Sequence, residues 1–362
     1  MAITGVTREQ FAVILGHLAA ENDPYPVTSS VLRYWLETLK KGEPSWWKGV
    51  EKAFSKRIFA SWQDPWDVFR TGIHFEALND EKNPLIPYFP SCGGTAEADP
   101  SKPLELFLSK PPETFFDNLE KGHPRNYYFI FSNLWITPAY HFFARRGLPY
   151  YLVQLDACGG LDLVADFATS VGERYHAPDL VAARIGLDPS PLLVEDIAHR
   201  RWMTAGIKPE EMAMIESLDK SIECLLSFKR EDSNFVQLVE CPKASYLDFV
   251  NANVPAGDPD VGLLLYTAFH SNRMNEADYG KLKEKVAALL APWEDRGLWL
   301  EVEPVRGEMY SSTVQLTAHR MNSGMMLEQA LYRFDQISLT SSLRFENSAE
   351  FLATRPPSKK KA

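Results

Sequence analysis

The sequence of 362 residues contains few cysteines and fewer basic than acidic residues. Each of these features excludes certain classes of site and partner. Its four cysteines include no Cys-x-x-Cys pair, so the sequence offers neither a thiolate zinc site nor a disulfide framework and favours a reducing compartment. The net charge of −10 argues against nucleic acid or an anionic membrane surface as the main partner. We therefore expect a cytoplasmic protein whose partner is a small molecule.

Long apolar runs and targeting signals are also missing. The longest apolar stretches, residues 127–136 and 261–269, fall well short of the roughly 18 residues that a membrane span requires. The start of the sequence lacks the apolar run of a secretory signal. These features predict a soluble chain with no membrane partner. With 45% hydrophobic residues, the chain is able to bury a sizeable core.

Several catalytic motifs are absent as well. The sequence has no G-x-S-x-G elbow, no Walker-type phosphate loop and no strict G-x-G-x-x-G fingerprint, which argues against the hydrolases and phosphoryl-transfer enzymes that the first two motifs identify. The eight histidines show neither H-x-H nor H-x-x-x-H spacing, so local sequence predicts no histidine metal site.

The hydrophobic pattern divides the chain into a helical part and a sheet part. From residue 7 to about residue 79, apolar residues repeat every three or four positions, as on the buried face of a helix. Prolines and glycines then crowd residues 83–112 and predict a wrapping loop. This first part is predicted to be an all-α cap domain at residues 1–110.

From about residue 127, short apolar runs alternate with helical patterns. The predicted strands are residues 150–155, 181–187, 235–240, 261–268, 298–302 and 313–318. Near-continuous apolar strands that alternate with helices are typical of a mostly parallel sheet with helices on both faces. The sequence therefore predicts an α/β domain at residues 125–345, followed by a disordered tail at 355–362.

One loop carries the features of a ligand site. The predicted strand 150–155 runs into Asp156 and then into Gly159 and Gly160. Glycines let the backbone turn sharply and approach a ligand, and the amides of a following helix offer it donors. Asp188, at the end of the next predicted strand, stands where nucleotide-binding sheets place an acid for ribose hydroxyls. The alternatives are a tight turn without a ligand and a turn-forming aspartate.

Polar side chains also follow the predicted strand at 261–268. Tyr266 and His270 lie around its end, where the ligand crevice of such a sheet opens. His270 suits proton transfer as a general base, and Tyr266 suits orientation of an acceptor. The alternative for His270 is a turn histidine whose ring nitrogens are satisfied locally.

Four stretches of the sequence carry a resemblance to a known family. They are His74-Phe-Glu-Ala-Leu with Pro84-Leu-Ile-Pro-Tyr-Phe-Pro-Ser-Cys-Gly-Gly, Tyr151-Leu-Val-Gln-Leu-Asp-Ala-Cys-Gly-Gly-Leu-Asp-Leu, Arg184-Ile-Gly-Leu-Asp-Pro-Ser-Pro with Arg201-Trp-Met, and Val261-Gly-Leu-Leu-Leu-Tyr-Thr-Ala. In order and spacing, residues 74–304 resemble the uncharacterized bacterial family called domain of unknown function 2332. The resemblance implies a helical amino-terminal part and a Rossmann-like domain similar to S-adenosylmethionine-dependent methyltransferases. It implies no established reaction.

The chain departs from the family's usual pattern in its glycine loop, before the first strand and at the late His-Gly pair, which is not evident near residues 333–338. In the glycine loop, Gln154 stands where the family has an acid, and Asp156 stands where it has the first glycine. We hypothesise that Asp156 supplies the acid that Gln154 no longer provides. Of the family's polar trio before the first strand, only Asn133 is kept.

The resemblance implies a function, and two alternatives stay open beside it. The implied function is methyl transfer from S-adenosylmethionine to a small molecule, with the cofactor held by Asp156, Gly159, Gly160 and Asp188 and the acceptor oriented or deprotonated by His270, Tyr266 and Asn133. Methyl transfer needs mainly alignment of donor and acceptor, so the lack of a catalytic triad does not argue against it. The alternatives are a non-catalytic methyltransferase-like binding protein and an enzyme that uses the same cleft for other small-molecule chemistry.

Overall fold

The computed structural model describes residues 3–20, 26–59, 64–95, 99–122, 133–175, 177–271, 274–305, 313–335 and 351–352. The chain divides into two compact units. Unit 1 comprises residues 1–128 and 192–220, and unit 2 comprises residues 129–191 and 221–362. Residues 192–220, which follow the second strand of the main sheet in the sequence, therefore belong to the helical unit.

Within the described residues, thirteen α-helices are formed. They are α1 (Arg8–Ala20), α2 (Pro26–Lys41), α3 (Trp47–Ser55), α4 (Asp64–Asn79), α5 (Ser101–Ser109), α6 (Glu113–Lys121), α7 (Ile136–Phe142), α8 (Ala165–Ala168), α9 (Ser170–Arg174), α10 (Ile197–Gly206), α11 (Met212–Glu231), α12 (Tyr246–Asn253) and α13 (Glu276–Leu290). Among the described residues, none of these helices combines the length and the hydropathy that crossing a bilayer requires.

The strands fall into a short ladder in unit 1 and a large sheet in unit 2. They are β1 (Ile3–Thr4), β2 (Ile58–Phe59), β3 (Tyr150–Leu155), β4 (Val181–Asp188), β5 (Gln237–Glu240), β6 (Gly262–Ala268), β7 (Gly297–Pro304), β8 (Thr313–Asn322) and β9 (Met325–Asp335). Strands β1 and β2 pair antiparallel, and the other seven form one sheet.

The first helix begins where the sequence predicts. The backbone N–H of Thr7 donates to the side-chain oxygen of Gln10 at 2.9 Å, and the backbone N–H of Gln10 donates to Thr7 Oγ1 at 3.3 Å. This reciprocal capping box satisfies two amides that have no partner within the helix. Phe11 then packs edge-on against Trp35 of α2, with ring centroids 5.1 Å apart, and both side chains are fully buried. Burial of such aromatic side chains stabilises the helical unit.

The proline-rich segment 83–112 differs from the predicted wrapping loop because it contains helix α5. Pro103 is tolerated there because it lies in the first turn, where an amide N–H has no helical partner to lose. Leu104 is fully buried and anchors the helix in the core of unit 1. The predicted tail at residues 355–362 lies outside the described residues.

The main sheet confirms a mixed, mostly parallel α/β architecture. Its order is β5-β4-β3-β6-β7-β8-β9, with parallel pairing from β5 to β7 and antiparallel pairing of β8 and β9. Strand β9 was not predicted. Strand β8 is longer than predicted because it pairs with β9 in a hairpin. Its turn residues Ser323 and Gly324 have φ values of 51° and 83°, the left-handed conformations that a tight hairpin turn requires.

The two faces of the sheet differ in polarity. On one face, apolar side chains of β3 and β6 such as Leu155 and Leu265 pack with residues of α12 and α13. On the other face, Gln154 of β3, Arg184 of β4 and Tyr266 of β6 are all buried. Polar groups that are buried need partners, so this second face requires hydrogen bonds from the segments that cover it.

The order of the strands reverses between β3 and β6. Strands β4 and β5 extend the sheet on one side of β3, whereas β6 and β7 extend it on the other side. In parallel sheets, a crevice opens beyond the carboxyl ends of the two strands at such a reversal. The loops that follow β3 and β6 therefore supply the side chains at this crevice.

Candidate functional site

The loops after β3 and β6 bring Asp156 and His270 into contact. Nδ1 of His270 lies 2.6 Å from Oδ2 of Asp156, and the two residues are only 7% and 4% exposed. The hydroxyl of Tyr246 in α12 donates to Oδ1 of Asp156 at 2.9 Å, and Nζ of Lys243 lies 2.9 Å from the same oxygen. These donors stabilise the negative charge of the buried carboxylate.

The contact with Asp156 determines which nitrogen of His270 carries the proton. A carboxylate offers only acceptors, so Nδ1 of His270 is the donor in this hydrogen bond. In the neutral ring the lone pair then resides on Nε2. A carboxylate that holds a histidine in this tautomer is the arrangement by which histidine bases are oriented for proton transfer.

The backbone on both sides of this pair is strained. Asp156 has φ 57°, and Phe269, the residue before His270, has φ 55°. The left-handed region is unfavourable for residues with a side chain, especially for a bulky one. The N–H of Phe269 donates to the carbonyl of Val302 at 2.8 Å, which holds the strained strand end in place. Backbone strain of this kind clusters at functional sites.

Ser271 anchors the loop after β6 to two carboxylates of β7. Its Oγ donates to Glu301 Oε1 at 2.7 Å, and its N–H donates to Glu303 Oε1 at 2.6 Å. Glu301 also accepts from the Tyr279 hydroxyl at 2.7 Å and lies 3.3 Å from His319 Nε2. Burial raises the pKa of Glu301, but the hydrogen bond and charge of His319, with the other two donors, outweigh it and hold that pKa below its ordinary value. This network fixes the position of the loop.

Asp188 closes the turn that follows β3. Its Oδ2 accepts the N–H of Cys158 at 3.0 Å, its Oδ1 accepts the N–H of Ser190 at 2.8 Å, and the residue is 1% exposed. The contact with Ser190 is the one that the turn-forming alternative predicts for Asp188. The aspartate thus ties the glycine turn of β3 to the end of β4.

Gly159 and Gly160 lie in this turn, and the turn packs directly on the sheet. Gly160 has φ 72°, and a Cβ at this position would come within 2.8 Å of a methyl group of Leu238 in β5. A glycine is therefore required here for both conformation and space. The side of Gly160 on which a Cβ would stand thus faces Leu238 of the sheet.

Gln154 and Tyr266 belong to the buried polar face of the sheet. They are paired in register, and Nε2 of Gln154 donates to Oδ2 of Asp162 at 2.6 Å. Burial, with a smaller effect of the Asp162 charge, raises the pKa of Tyr266 well above its ordinary value, so its phenol stays neutral. Asp162, which the sequence did not single out, is the acid that contacts Gln154.

Arg184 pairs with Asp166 and not with the predicted site acids. Its Nη1 donates to Oδ1 of Asp166 at 2.8 Å and its Nη2 donates to Oδ2 at 2.7 Å, and both side chains are buried. The rings of Phe167 and Phe235 flank the guanidinium at 5.1 Å and 5.3 Å. Arg184 therefore forms a buried ion pair with Asp166 on the polar face of the sheet, and its role there is structural.

The structure brings some of the predicted site residues together and separates others. Asp156 contacts His270, and Asp188 lies against the glycine turn. Asn133 stands at the start of α7, where its carbonyl accepts the N–H of Ile136 at 3.2 Å. Among the described residues, its side chain makes no hydrogen bond to the other predicted site residues.

Sequence reasoning missed several residues that hold the pair in place. They are Lys243, Tyr246, Ser271 and Glu301. The hydroxyl of Tyr246 reaches Asp156 across 90 residues of sequence, and no local pattern signals such a contact. Within the described part of the chain, no three or more histidine, cysteine, aspartate or glutamate side chains are arranged to hold a metal ion.

Comparison with known proteins identifies a family for part of the chain but does not identify an activity. Residues 168–337 match the model of the family described as an uncharacterized protein conserved in bacteria, domain of unknown function 2332, which confirms the resemblance seen in the sequence for that part of the chain. No curated protein is significantly similar to the chain. The matched residues include His270 and Asp188 and begin after Asp156.

Proposed function

The chain belongs, through residues 168–337, to an uncharacterized bacterial family, domain of unknown function 2332, and from that premise we propose that it is an enzyme that removes a proton from a small-molecule substrate. His270 is the general base. The observation that carries this proposal is the buried contact of 2.6 Å between His270 and Asp156 beyond the carboxyl ends of β3 and β6.

The surroundings of Asp156 and His270 support a role of His270 as a base rather than as a purely structural histidine. Nε2 of His270 accepts the proton of the substrate, and the ring then carries a positive charge beside the carboxylate of Asp156. That carboxylate stabilises the charge, as it does for histidine bases in general. Tyr246 and Lys243 hold Asp156 in place, and Ser271 holds the loop of His270. Such positioning limits the movement of the base.

Methyl transfer from S-adenosylmethionine is a second candidate, within a domain of the Rossmann-like methyltransferase type. The strand order β5-β4-β3-β6-β7, a glycine turn after β3 and an acid at the end of β4 support it. The acid at the end of β4, however, is engaged by the protein's own backbone. Both oxygens of Asp188 accept backbone N–H groups in a buried position. We therefore derive no catalytic step through this cofactor.

Incubation with a bacterial metabolite extract tests the proposal without requiring that the substrate be chosen in advance. Mass spectrometry measures which compounds the protein consumes, with and without added S-adenosylmethionine. We expect consumption of at least one compound, and we expect His270→Ala to slow it by at least about 100-fold, because a positioned base contributes roughly 10²–10⁴ in rate. His141→Ala, which changes a half-buried histidine of the same unit, is the matched control and should retain the rate.

Equal rates for the wild type and His270→Ala would rule out the histidine as base. Consumption that depends on added S-adenosylmethionine would favour the second candidate. If no compound is consumed under either condition, the protein is better described as a non-catalytic binding protein.

A further inference from the structure

The turn that follows β3 has strained backbone at more than one position. Asp156, Cys158 and Gly160 have φ values of 57°, 52° and 72°, all in the left-handed region. Glycine adopts this conformation readily, whereas a residue with a side chain is destabilised in it. Because two of the three residues carry side chains, contacts with the rest of the protein have to hold the turn in this shape.

The side chain of Asp188 supplies such a contact at Cys158. Its Oδ2 accepts the N–H of Cys158 at 3.0 Å, and the two residues are only 1% and 7% exposed. The acceptor is charged and the bond is shielded from water, and both conditions strengthen a hydrogen bond. The bond acts on the backbone of the strained residue itself. Asp188 therefore stabilises the left-handed conformation of Cys158.

Packing beyond Cys158 directs any relaxation of the turn toward Asp156. Gly160, two residues further along the chain, lies so close to β5 that a Cβ there would come within 2.8 Å of Leu238. The turn therefore has little freedom on that side. If Cys158 left the left-handed region, the residues before it, including Asp156, would have to take up the change in chain direction. The side chain of Asp156 would then turn away from His270.

The main chain of Asp188 holds the opposite side of the site. Its carbonyl accepts the N–H of Cys241 at 2.9 Å. Cys241 begins the segment that runs into α12. Further along this segment, Lys243 and Tyr246 both contact Oδ1 of Asp156. One residue at the end of β4 thus holds the turn that carries Asp156 and also the segment that carries its donors.

We propose that Asp188 is a positioning residue for His270 and that it acts through Cys158. The carboxylate of Asp188 stabilises the strained turn, the turn directs Asp156 at Nδ1 of His270, and Asp156 fixes the tautomer of the ring. This role differs from the contact with ribose that nucleotide-binding sheets give to an acid at this place. The consequence for catalysis rests on the proposed function, whereas the effect on the tautomer of His270 does not.

The tautomer of His270 in Asp188→Asn tests this role in the full chain. The substitution keeps the shape of the side chain but removes its charge and one of its two acceptor oxygens. The N–H of Ala157 still donates to the carbonyl of Leu187, which keeps the turn attached to β4. In spectra of the ¹⁵N-histidine-labelled protein, we expect the ratio of the Nδ1–H form to the Nε2–H form of His270 to fall at least about fivefold.

The second variant, Cys158→Gly, separates the strain of the turn from a general loss of stability. Glycine adopts positive φ readily, so Cys158→Gly removes the need for Asp188 at this turn. Combined with Asp188→Asn, it should return the tautomer ratio to within about twofold of the wild-type value. Ser323→Gly is the matched control. It relieves a similar strain, at φ 51°, in the exposed turn after β8, beyond the amino end of β7, and should not restore the ratio.

An unchanged tautomer ratio in Asp188→Asn would overturn the inference. Equal recovery with Cys158→Gly and with Ser323→Gly, or recovery with neither, would overturn it as well, because the effect of Asp188 would then not pass through Cys158. If Asp188→Asn alone does not fold, the same comparison is made on the thermal unfolding transition, which Cys158→Gly should restore and Ser323→Gly should not.

These spectra require no substrate, so the two proposals are tested separately. A protein that consumes a compound but whose His270 does not respond to Asp188→Asn contradicts the positioning role alone. A protein whose His270 responds as expected but that consumes no compound contradicts the proposed function alone.

Discussion

Replacing Asp166 by alanine is expected to lower the free energy of unfolding by about 3–5 kcal/mol. Asp166 and Arg184 form a bidentate pair, and their side chains are 4% and 3% exposed. Without Asp166, the guanidinium of Arg184 stays in the interior with no carboxylate to balance it, and that uncompensated charge accounts for most of the loss. Urea unfolding followed by circular dichroism measures the change.

A partly exposed ion pair in the same unit provides the control. Nη2 of Arg146 lies 3.1 Å from Oδ2 of Asp295, and the two side chains are 22% and 32% exposed. Asp295→Ala should cost less than about 1 kcal/mol, because solvent screens this pair. The double variant Asp166→Leu with Arg184→Met should recover much of the stability that Asp166→Ala loses. Equal losses for Asp166→Ala and Asp295→Ala would contradict the structural importance of the buried pair.

Lowering the pH from about 6.5 to about 4.5 is expected to cost the folded state about 2 kcal/mol through His74 alone. The pKa of His74 is lowered to about 3 in the folded protein, mainly by burial, whereas the ordinary value is 6.5. Between these two values the unfolded chain binds a proton that the folded chain does not. Stability is therefore complete above about pH 6.5 and falls as the pH decreases toward 3.

Urea unfolding at several pH values, compared between variants, isolates this effect. In His74→Asn, an amide nitrogen replaces Nδ1 as the donor toward Ala205 and Ile207, and no group titrates in this range. We expect this variant to be less stable near neutral pH but to lose about 2 kcal/mol less than the wild type on acidification. His17→Asn, which changes an exposed histidine, should follow the wild type. If the free energy of unfolding of His74→Asn fell with pH as steeply as that of the wild type, the buried, neutral state of His74 would be contradicted.

The sequence predicted the sheet better than the contacts of its side chains. Strand β3 has the predicted bounds Tyr150–Leu155, because its apolar run is interrupted only by Gln154 and ends at Asp156. Strand β9 has Met325, Glu328 and Arg333 in exposed positions, so its apolar and polar residues do not alternate as in a half-buried strand. Helix α5 was missed because proline was taken as a helix breaker, although in the first turn it is compatible with a helix.

The candidate site was only partly predictable, for a physical reason. Asp156, His270 and Asp188 were each singled out because the carboxyl ends of parallel strands meet at one edge of the sheet. The contact between Asp156 and His270 spans 114 residues, and it depends on positive φ at Asp156 and Phe269, which composition does not reveal. The donors that hold Asp156 come from α12 and the turn before it. Local patterns carry no information about such long-range contacts.

The proton position on His270 tests the account most directly, because the proposed base depends on Asp156 holding Nδ1. Long-range ¹H–¹⁵N correlation spectra of the ¹⁵N-histidine-labelled protein at about pH 8, assigned with His270→Gln, distinguish the two neutral tautomers. We predict that His270 is found with its proton on Nδ1 and that Asp156→Ala shifts the ring toward the Nε2–H form. A wild-type His270 that is already in the Nε2–H form, or that does not respond to Asp156→Ala, would contradict the assignment of His270 as an oriented base.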